Sequence, residues 1–285
     1  MKRFLSILLT VVLVSSLCFA FTACGEKTIR IAVPNDPTNE ARALMLLEAN
    51  GLITLREGAG INATKNDIVS NPYNIEIVEL EAAAIPLALQ DVSYAVINSN
   101  YAISAGLNPL TDSLIIEGSA SQYVNVLAVK EGNENSPKIK ALVAALNSQQ
   151  VADFIASEYA GSVLSVVENP TNGYDASIDY AALNGVTISV AASPVPHCEI
   201  LEVVKEILAA RGITLNIVSY TDYIQPNLVV EDGDVDANYF QHVPYLDSFN
   251  AENGTHLVVA AGIHVEPMGM YGGQETSLDA LKGNQ

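Results

Sequence analysis

Asn39 and Arg42 are the first residues in the chain whose types and spacing could do chemistry. Residues three apart lie on one face of a helix, and a guanidinium can hold a carboxylate through two parallel hydrogen bonds. Cations are scarce, because the chain has only 13 Lys and Arg against 32 Asp and Glu. The pair therefore suggests a carboxylate-binding site. A surface ion pair of Arg42 with Glu40 or Asp36 is the alternative interpretation.

A second group combines aromatic rings with polar atoms in the last third of the chain. Its members are Tyr223 and, further on, Phe240, His242 and Tyr245. Such a mixture suits a pocket for the apolar side chain of a polar ligand, and sulfur–aromatic contacts would favour a thioether. Alternatively, the rings pack at a loop corner with their polar ends hydrated.

Two asparagines, Asn98 and Asn125, accompany predicted strands. An amide offers both a donor and an acceptor, which matches the ammonium and carboxylate groups of an amino acid. Asn98 could equally be a turn residue, and Asn125 a strand residue bonded to backbone.

Signals for an enzyme or a metal site are weak. Cys198 lies at a predicted helix start, where the pKa of a thiol can fall, but no base or acid accompanies it, so we interpret it as a core residue. No phosphate-binding loop, GxSxG motif or paired carboxylates occur, so we predict no catalytic residue, cofactor or metal. The residues that could still bind zinc, at spacings that match no tight motif, are His197, His242, His256, His264 and Glu266.

The first residues have the pattern of a lipoprotein signal peptide. Lys2 and Arg3 precede an apolar run over residues 4–21, and small residues lead to Cys24. We expect residues 1–23 to be removed and Cys24 to carry a lipid that anchors the protein to the extracytoplasmic face of the cell membrane. An ordinary secretory signal or an N-terminal membrane anchor is the alternative.

The charge balance excludes one class of partner. The formal net charge is −19 for the whole chain, and loss of Lys2 and Arg3 with the signal would make it −21. Such a surface repels polyanions, so we expect no nucleic acid partner. Of the three cysteines, Cys18 leaves with the signal and Cys24 is the expected lipid site, so no intramolecular disulfide can form.

The elements that must position the candidate residues alternate between short apolar strands and helical stretches. This predicts an α/β fold of mostly parallel sheets covered by helices, with Thr38 or Asn39 capping the first helix. We expect lobe A over residues 24–118, with 272–285 returning to it, and lobe B over 119–271, containing a linker at about 161–185. The predicted strands are 29–33, 75–80, 94–97, 123–129, 186–191, 215–219 and 257–262, and the predicted helices are 40–49, 82–89, 138–146, 151–159 and 199–211.

Several segments together resemble the methionine-binding lipoprotein family of ABC importers. The resemblance implies a two-lobed periplasmic-binding-protein fold of type II-like architecture, methionine held in the interlobe cleft, and docking to an ABC permease and its ATPase. The segments are VPNDPTNEARAL at 33–44, NPYNIEIVELEAA at 71–83, AVINSNYA at 95–102, YVNVLAV at 123–129, PHCEILEVVKE at 196–206, DYIQPN at 222–227, DGDVDANYFQHVPYLDSFN at 232–250 and HVEPMGMY at 264–271.

The resemblance also implies roles for the candidate residues. It implies that the ligand's carboxylate and ammonium groups are bound by Asn39, Arg42, Asn98 and Asn125. It implies that the ligand's side chain is surrounded by Tyr223, Phe240, His242 and Tyr245. It leaves open another apolar amino acid or a short methionine peptide. A metal-dependent or enzymatic protein that reuses the same fold is the alternative from a different class.

The order of these segments is rotated relative to the family, in which the segment like 196–206 follows the lipid cysteine and the segment like 33–44 comes mid-chain. This order indicates a circular permutation, which folds with neighbouring termini tolerate. We therefore expect the C-terminal tail, residues 276–282, to lie beside the strand at 29–33. Closure of the lobes on a ligand is expected through chain crossings near 118–123 and 267–272.

Overall fold

The computed structural model describes residues 28–118 and 122–282, so the expected signal peptide and Cys24 lie outside the described residues. The helices are α1 (Pro37–Ala49), α2 (Ser99–Ser104), α3 (Pro137–Leu146), α4 (Gln149–Tyr159), α5 (Glu199–Ala209), α6 (Gln225–Glu231), α7 (Val243–Asn253) and α8 (Asp279–Lys282), with 3-10 turns at Gly60–Asn62, Lys65–Asp67 and Ala82–Asp91 and a π turn at Pro194–Cys198. The strands are β1 (Ile29–Pro34), β2 (Thr54–Leu55), β3 (Ile68–Ser70), β4 (Ile75–Leu80), β5 (Tyr94–Ile97), β6 (Ser113–Ile116), β7 (Val124–Lys130), β8 (Leu164–Ser165), β9 (Thr187–Ala192), β10 (Thr214–Ser219), β11 (Ala237–His242), β12 (Leu257–Val265) and β13 (Gly269–Gly272).

The first lobe is built on a five-stranded sheet in the order β4-β1-β5-β13-β6. The strand β1 pairs in parallel with β4 and β5, whereas β13 runs antiparallel to both β5 and β6. Five of the six residues of β1 are buried, as expected for a central strand covered on both faces. The helix α1 covers this sheet, and Leu44 and Leu47 pack with Ile29 and Ile31 in the same apolar core.

The second lobe is built on a six-stranded sheet in the order β10-β9-β11-β7-β12-β8. Its strands β10, β9 and β11 are parallel, and β7, β12 and β8 continue it in antiparallel pairs. Both large sheets are therefore mixed, and the expectation of mostly parallel sheets was wrong. The antiparallel strands β7, β12 and β13 lie next to a crossing between the lobes, whereas β8 does not.

The chain crosses between the lobes twice, between β6 and β7 and between β12 and β13. The return strand β13 begins at Gly269, so the chain is back in the first sheet before the predicted end of lobe B at residue 271. The segment 161–185 contributes β8 to the second sheet and buries Val163 and Leu183 in the second core. That segment is therefore a long connection packed on the second lobe.

The tail after β13 packs on the first lobe. Leu281 is buried in the same core as Ile29, and the Tyr94 hydroxyl donates to the Ser277 carbonyl at 2.7 Å. At Gly273 a side chain would not fit, because a Cβ atom there would lie 2.3 Å from the Leu89 carbonyl oxygen. The tail and β1 therefore contribute side chains to the same core.

No helix within residues 28–118 and 122–282 is both long and apolar enough to span a bilayer.

Candidate functional site

A cavity lies between the two lobes, with about 360 Å³ of space that no protein atom fills, part of it open to solvent. The structure brings all eight candidate residues to its wall, together with four polar residues that the sequence did not assign to a ligand. From the sequence came Asn39, Arg42, Asn98, Asn125, Tyr223, Phe240, His242 and Tyr245, and the further four are Ser99, Asn100, Gln241 and Glu266.

Asn39 is held in place by the N-terminal cap of α1. The cap is Asp36, and not Thr38 or Asn39 as expected; its Oδ1 accepts hydrogen bonds from the Asn39 backbone N–H at 3.0 Å and from Asn39 Nδ2 at 2.9 Å. Burial raises the pKa of the Asp36 carboxyl. Because Nδ2 faces the cap, Asn39 Oδ1 points the other way, where Asn98 Nδ2 donates to it at 2.8 Å.

Arg42 is buried, with 3% of its surface exposed. Its Nε lies 2.8 Å from Glu117 Oε1, its Nη2 lies 2.5 Å from Glu117 Oε2, and Nη2 also donates to the Glu266 carbonyl at 2.7 Å. The guanidinium carbon lies 4.3 Å from the centre of the Tyr123 ring. Arg42 is thus neither on the surface nor paired with Glu40 or Asp36. Its guanidinium is held in place by Glu117 at the first chain crossing and by Glu266 at the second.

Asn98 has one satisfied and one unsatisfied side-chain atom. Its Nδ2 donates to Asn39, whereas its buried Oδ1 accepts no hydrogen bond from any residue in the described ranges. A buried acceptor without a donor is costly. Since Asn98 lines the cavity, a donor on a ligand would satisfy this atom.

The aromatic residues form a tilted stack on the second-lobe side of the cavity. The ring of Tyr223 lies 5.8 Å from both Phe240 and Tyr245, centre to centre. The Tyr245 hydroxyl donates to the Tyr223 carbonyl at 3.0 Å, and the Tyr223 hydroxyl donates to Asn100 Oδ1 across the lobes at 2.7 Å. Burial raises the pKa of the Tyr223 phenol, so it remains a neutral donor.

His242 ends β11 and begins α7. Its Nδ1 accepts a hydrogen bond from the Tyr245 backbone N–H at 3.2 Å, which fixes the proton on Nε2, and Nε2 faces Asn39 Oδ1 across the lobes at 3.3 Å. Burial lowers the pKa of His242 well below its usual range. Phe240 and His242 do not lie at a hydrated loop corner, because both belong to β11, every residue of which is buried.

Gln241 of β11 belongs to a network of buried amides. Asn227 Nδ2 donates to Gln241 Oε1 at 3.0 Å, and Gln241 Nε2 donates to Asn227 Oδ1 at 2.6 Å and to Asn238 Oδ1 at 2.9 Å. Buried networks with their partners satisfied make the structure rigid. This network therefore fixes the strand that carries Phe240 and His242.

Glu266 lies at the back of the cavity with two buried histidines. Its Oε1 is 2.7 Å from His264 Nε2 and 3.4 Å from His197 Nε2. His197 Nε2 is also 3.0 Å from Asn125 Oδ1, and the other ring nitrogens face Ser193 Oγ and the Tyr239 hydroxyl. Burial lowers the pKa of each of these histidines to about 3 and raises the pKa of Glu266.

The ligating atoms of His197, His264 and Glu266 lie within 4.8 Å of one another, so these residues are the candidate metal ligands of the described ranges. Of the histidines suggested by the sequence, His242 faces Asn39 and His256 lies at the surface against Glu231. The sequence had suggested Glu266 only as a metal ligand and not as part of an amino-acid site.

The other residues that the sequence missed differ in whether a signal existed. Ser99 and Asn100 directly follow Asn98 at the end of β5, so the argument from strand ends applied to them too. Glu117 is 75 positions from Arg42 and has no local pattern that marks it. Its position depends on tertiary structure: Glu117 directly follows β6, which pairs with β13, and its Oε2 accepts a hydrogen bond from the Met268 N–H at 2.9 Å.

Comparison with known families gives one match that covers most of the chain. A family model described as NlpA lipoprotein matches residues 26–167 and 188–285.

The relatives are similar over shorter stretches. The chain is 44% identical over 134 residues to Outer membrane lipoprotein 3 of Mannheimia haemolytica, which covers 47% of this chain and 51% of that protein. It is 43% identical over 135 residues to the Probable D-methionine-binding lipoprotein MetQ of Vibrio cholerae serotype O1, covering 47% of this chain and 50% of that protein. The chain therefore spans about half the length of the curated relatives it matches.

A similar stretch is found in a solved structure. A nutrient binding protein from Burkholderia cenocepacia bound to methionine is 45% identical, covering 48% of this chain and 58% of that chain with a TM-score of 0.47.

Proposed function

Because the chain belongs to the NlpA lipoprotein family, we propose that it is a lipid-anchored, extracytoplasmic substrate-binding protein that captures methionine and delivers it to an ABC importer. The observation that carries this proposal is the composition of the cavity between the lobes. One part of its wall offers a guanidinium and side-chain amides, and another part offers three aromatic rings. A free amino acid with an apolar side chain has the matching pair of ends.

We assign the ligand carboxylate to Arg42. The bonds to Glu117 and to the Glu266 carbonyl use Nε and Nη2, which leaves the Nη1 edge for the ligand. The amides of Asn39, Asn98 and Asn125 complete the polar end. A guanidinium that is already fixed in position loses little side-chain entropy on binding.

The rings of Tyr223, Phe240 and Tyr245, with His242 at their edge, are assigned to the ligand side chain. A thioether makes favourable contacts with the edges of aromatic rings, which supports methionine over an aliphatic amino acid. The proposed role is binding and delivery without chemical conversion. In this role the two lobes close on the ligand by bending at the two crossings.

Titration calorimetry on the chain without residues 1–24 tests this function. Ligands are L-methionine, D-methionine, leucine and a methionine dipeptide, each with and without a zinc chelator. We expect methionine to bind at a 1:1 ratio, most tightly of the four, and independently of the chelator. Zinc binding without affinity for any amino acid would contradict the proposal and support a metal-dependent protein. In cells, palmitate labelling that is lost in Cys24→Ser would test the anchor.

We also propose that the segments are circularly permuted relative to the family. Two observations support this: the family match is interrupted at residues 168–187, which overlap the predicted linker at about 161–185, and the C-terminal tail shares a core with β1. A re-engineered chain that joins residue 282 to residue 28 by a glycine linker and opens within 168–187 should fold and bind methionine like the original. Failure to fold would contradict the proposal.

A further inference from the structure

We propose that Glu266 binds the cationic nitrogen of the ligand, so that the site accepts amino acids with a free α-ammonium group and rejects their deaminated and N-acylated analogues. This inference rests on the proposed function. It adds a residue that determines ligand class and that is not among the eight candidates from the sequence.

The position of Glu266 is the first argument. It follows β12 directly, at the second crossing, and its carboxylate lines the cavity while only 6% of the residue is exposed. Its backbone carbonyl accepts a hydrogen bond from Arg42 Nη2 at 2.7 Å. The Glu266 carboxylate and the Arg42 guanidinium therefore line one cavity, and the backbone carbonyl of Glu266 is hydrogen-bonded to that guanidinium. This proximity suits a ligand whose two charged groups are separated by one carbon atom.

Charge balance is the second argument. Glu266 Oε1 faces two buried imidazole rings, with His264 Nε2 at 2.7 Å and His197 Nε2 at 3.4 Å, and neither Lys nor Arg lies within ion-pair distance of this carboxylate among the described residues. Arg42 is the nearby cation, but its fork is directed at the carboxylate of Glu117. A buried carboxylate without a paired cation is unfavourable. A ligand ammonium at the cavity side of Glu266 would provide that cation.

The neighbouring acceptors fit the same group. An ammonium has three N–H donors, and Asn98 Oδ1, on the same cavity wall, is a buried acceptor with no donor among the described residues. Glu266 and Asn98 together would accept two of the three donors. The Glu266 carboxylate would provide the negative charge, and the hydrogen bond to Asn98 Oδ1 would orient the ammonium.

A zinc ion on His197, His264 and Glu266 is the competing interpretation of this cluster. The separation of 2.7 Å between His264 Nε2 and Glu266 Oε1 is that of a hydrogen bond. Two ligands of one tetrahedral zinc ion lie roughly 3.3 Å apart, given metal–ligand bonds near 2.0–2.1 Å. The Tyr239 hydroxyl, bonded to the other nitrogen of His264, holds the ring in its present orientation. The geometry favours a carboxylate that accepts from histidine.

The test compares Glu266→Gln with the unmodified chain by calorimetry against L-methionine, 4-(methylthio)butanoate and N-acetylmethionine. Gln has nearly the same shape but no charge. We expect the unmodified chain to prefer methionine over both analogues by about 100-fold, and Glu266→Gln to lose roughly 10- to 150-fold in methionine affinity. Its affinity for the deaminated analogue should change by less than about 3-fold, since that ligand has no ammonium. The exposed Glu202→Gln is the matched control.

Three results would overturn the inference. They are an unchanged methionine affinity in Glu266→Gln, an equal loss for methionine and for the deaminated analogue, and a loss of methionine affinity in the unmodified chain on chelation of zinc. In the first two cases methionine still binds the unmodified chain, so the proposed function stands. If the unmodified chain binds no amino acid, both proposals fail. Thermal unfolding of each variant, with Glu266→Asp as a second substitution that keeps the charge, separates misfolding from loss of the ammonium contact.

Discussion

The guanidinium of Arg42 and the carboxylate of Glu117 form a two-pronged ion pair, with Nε 2.8 Å from Oε1 and Nη2 2.5 Å from Oε2, although 75 positions separate them in the chain. Arg42 belongs to α1 of the first lobe, and Glu117 directly follows β6, where the chain leaves that lobe. The proposed carboxylate-binding residue is therefore fixed by the first crossing.

Arg42→Ala should abolish methionine binding and destabilise the fold. The ligand carboxylate loses the guanidinium that binds it. Glu117 remains largely buried without its cationic partner, which should lower the free energy of unfolding by about 3 kcal/mol or more. Calorimetry and urea unfolding measure the two effects. Arg56→Ala removes an arginine that is 68% exposed and pairs with Asp67, so it should change both by less than about 0.5 kcal/mol. An Arg42→Ala protein that binds methionine normally would contradict the assignment.

Asn98→Ala should weaken methionine binding more than it weakens the fold. The variant removes a buried acceptor that has no partner in the described protein, together with one hydrogen bond to Asn39 Oδ1, an atom that keeps His242 Nε2 as a partner. The free energy of unfolding should therefore fall by only about 1 kcal/mol. Loss of a bond to a ligand ammonium should lower affinity roughly 10-fold or more. The exposed amide of Asn216, which donates to Ser189 at 3.2 Å, provides the control Asn216→Ala. A large loss of stability with unchanged affinity would assign Asn98 a structural role.

Tyr223→Phe should accelerate methionine release. The hydroxyl donates to Asn100 across the lobes at 2.7 Å, and this bond stabilises the closed arrangement. Its loss is worth about 0.5–1.5 kcal/mol, or roughly a 2- to 10-fold faster dissociation. Stopped-flow fluorescence with a competing ligand measures that rate. The control is Tyr220→Phe, because Tyr220 does not line the cavity. An unchanged rate would mean that this bond does not limit opening.

The buried histidines should make stability fall in mild acid. The pKa values of His264 and His197 are lowered to about 3 by burial, so between pH 6.5 and pH 3 the unfolded chain binds more protons and stability declines with falling pH. Each histidine contributes up to about 1.4 kcal/mol per pH unit in that window. The raised pKa of Glu266 has the opposite effect on stability, which it increases as the pH falls. The contribution of one histidine is therefore measured by comparing a variant with the unmodified chain.

His264→Gln should therefore show a shallower loss of stability between pH 6.5 and pH 4 than the unmodified chain, in urea unfolding at several pH values. His256→Gln, at an exposed position, is the matched control and should leave the slope unchanged. Parallel curves for His264→Gln and the unmodified chain would contradict the assignment of the acid sensitivity to His264.

Local sequence patterns can predict site residues that lie at the end of a strand or on one face of a helix. Asn98 ends a strand and Arg42 lies one turn after Asn39, so local periodicity placed both correctly in the fold. The antiparallel partners could not be found in this way, because β13 is only four residues long and its direction depends on the crossing before it. Glu117 and Glu266 meet Arg42 through tertiary contacts alone. The cap was misplaced by two or three residues because Asp36, Thr38 and Asn39 all have capping side chains.

The contacts of Arg42 with Glu117 and with the Glu266 carbonyl connect the cavity to both crossings of the chain. A ligand that binds beside the guanidinium changes the local charge. We expect this change to alter the surroundings of residues near both crossings. An environment-sensitive dye attached near either crossing could then report occupancy of the cavity without touching the ligand. The protein would serve as a scaffold for an optical amino-acid sensor.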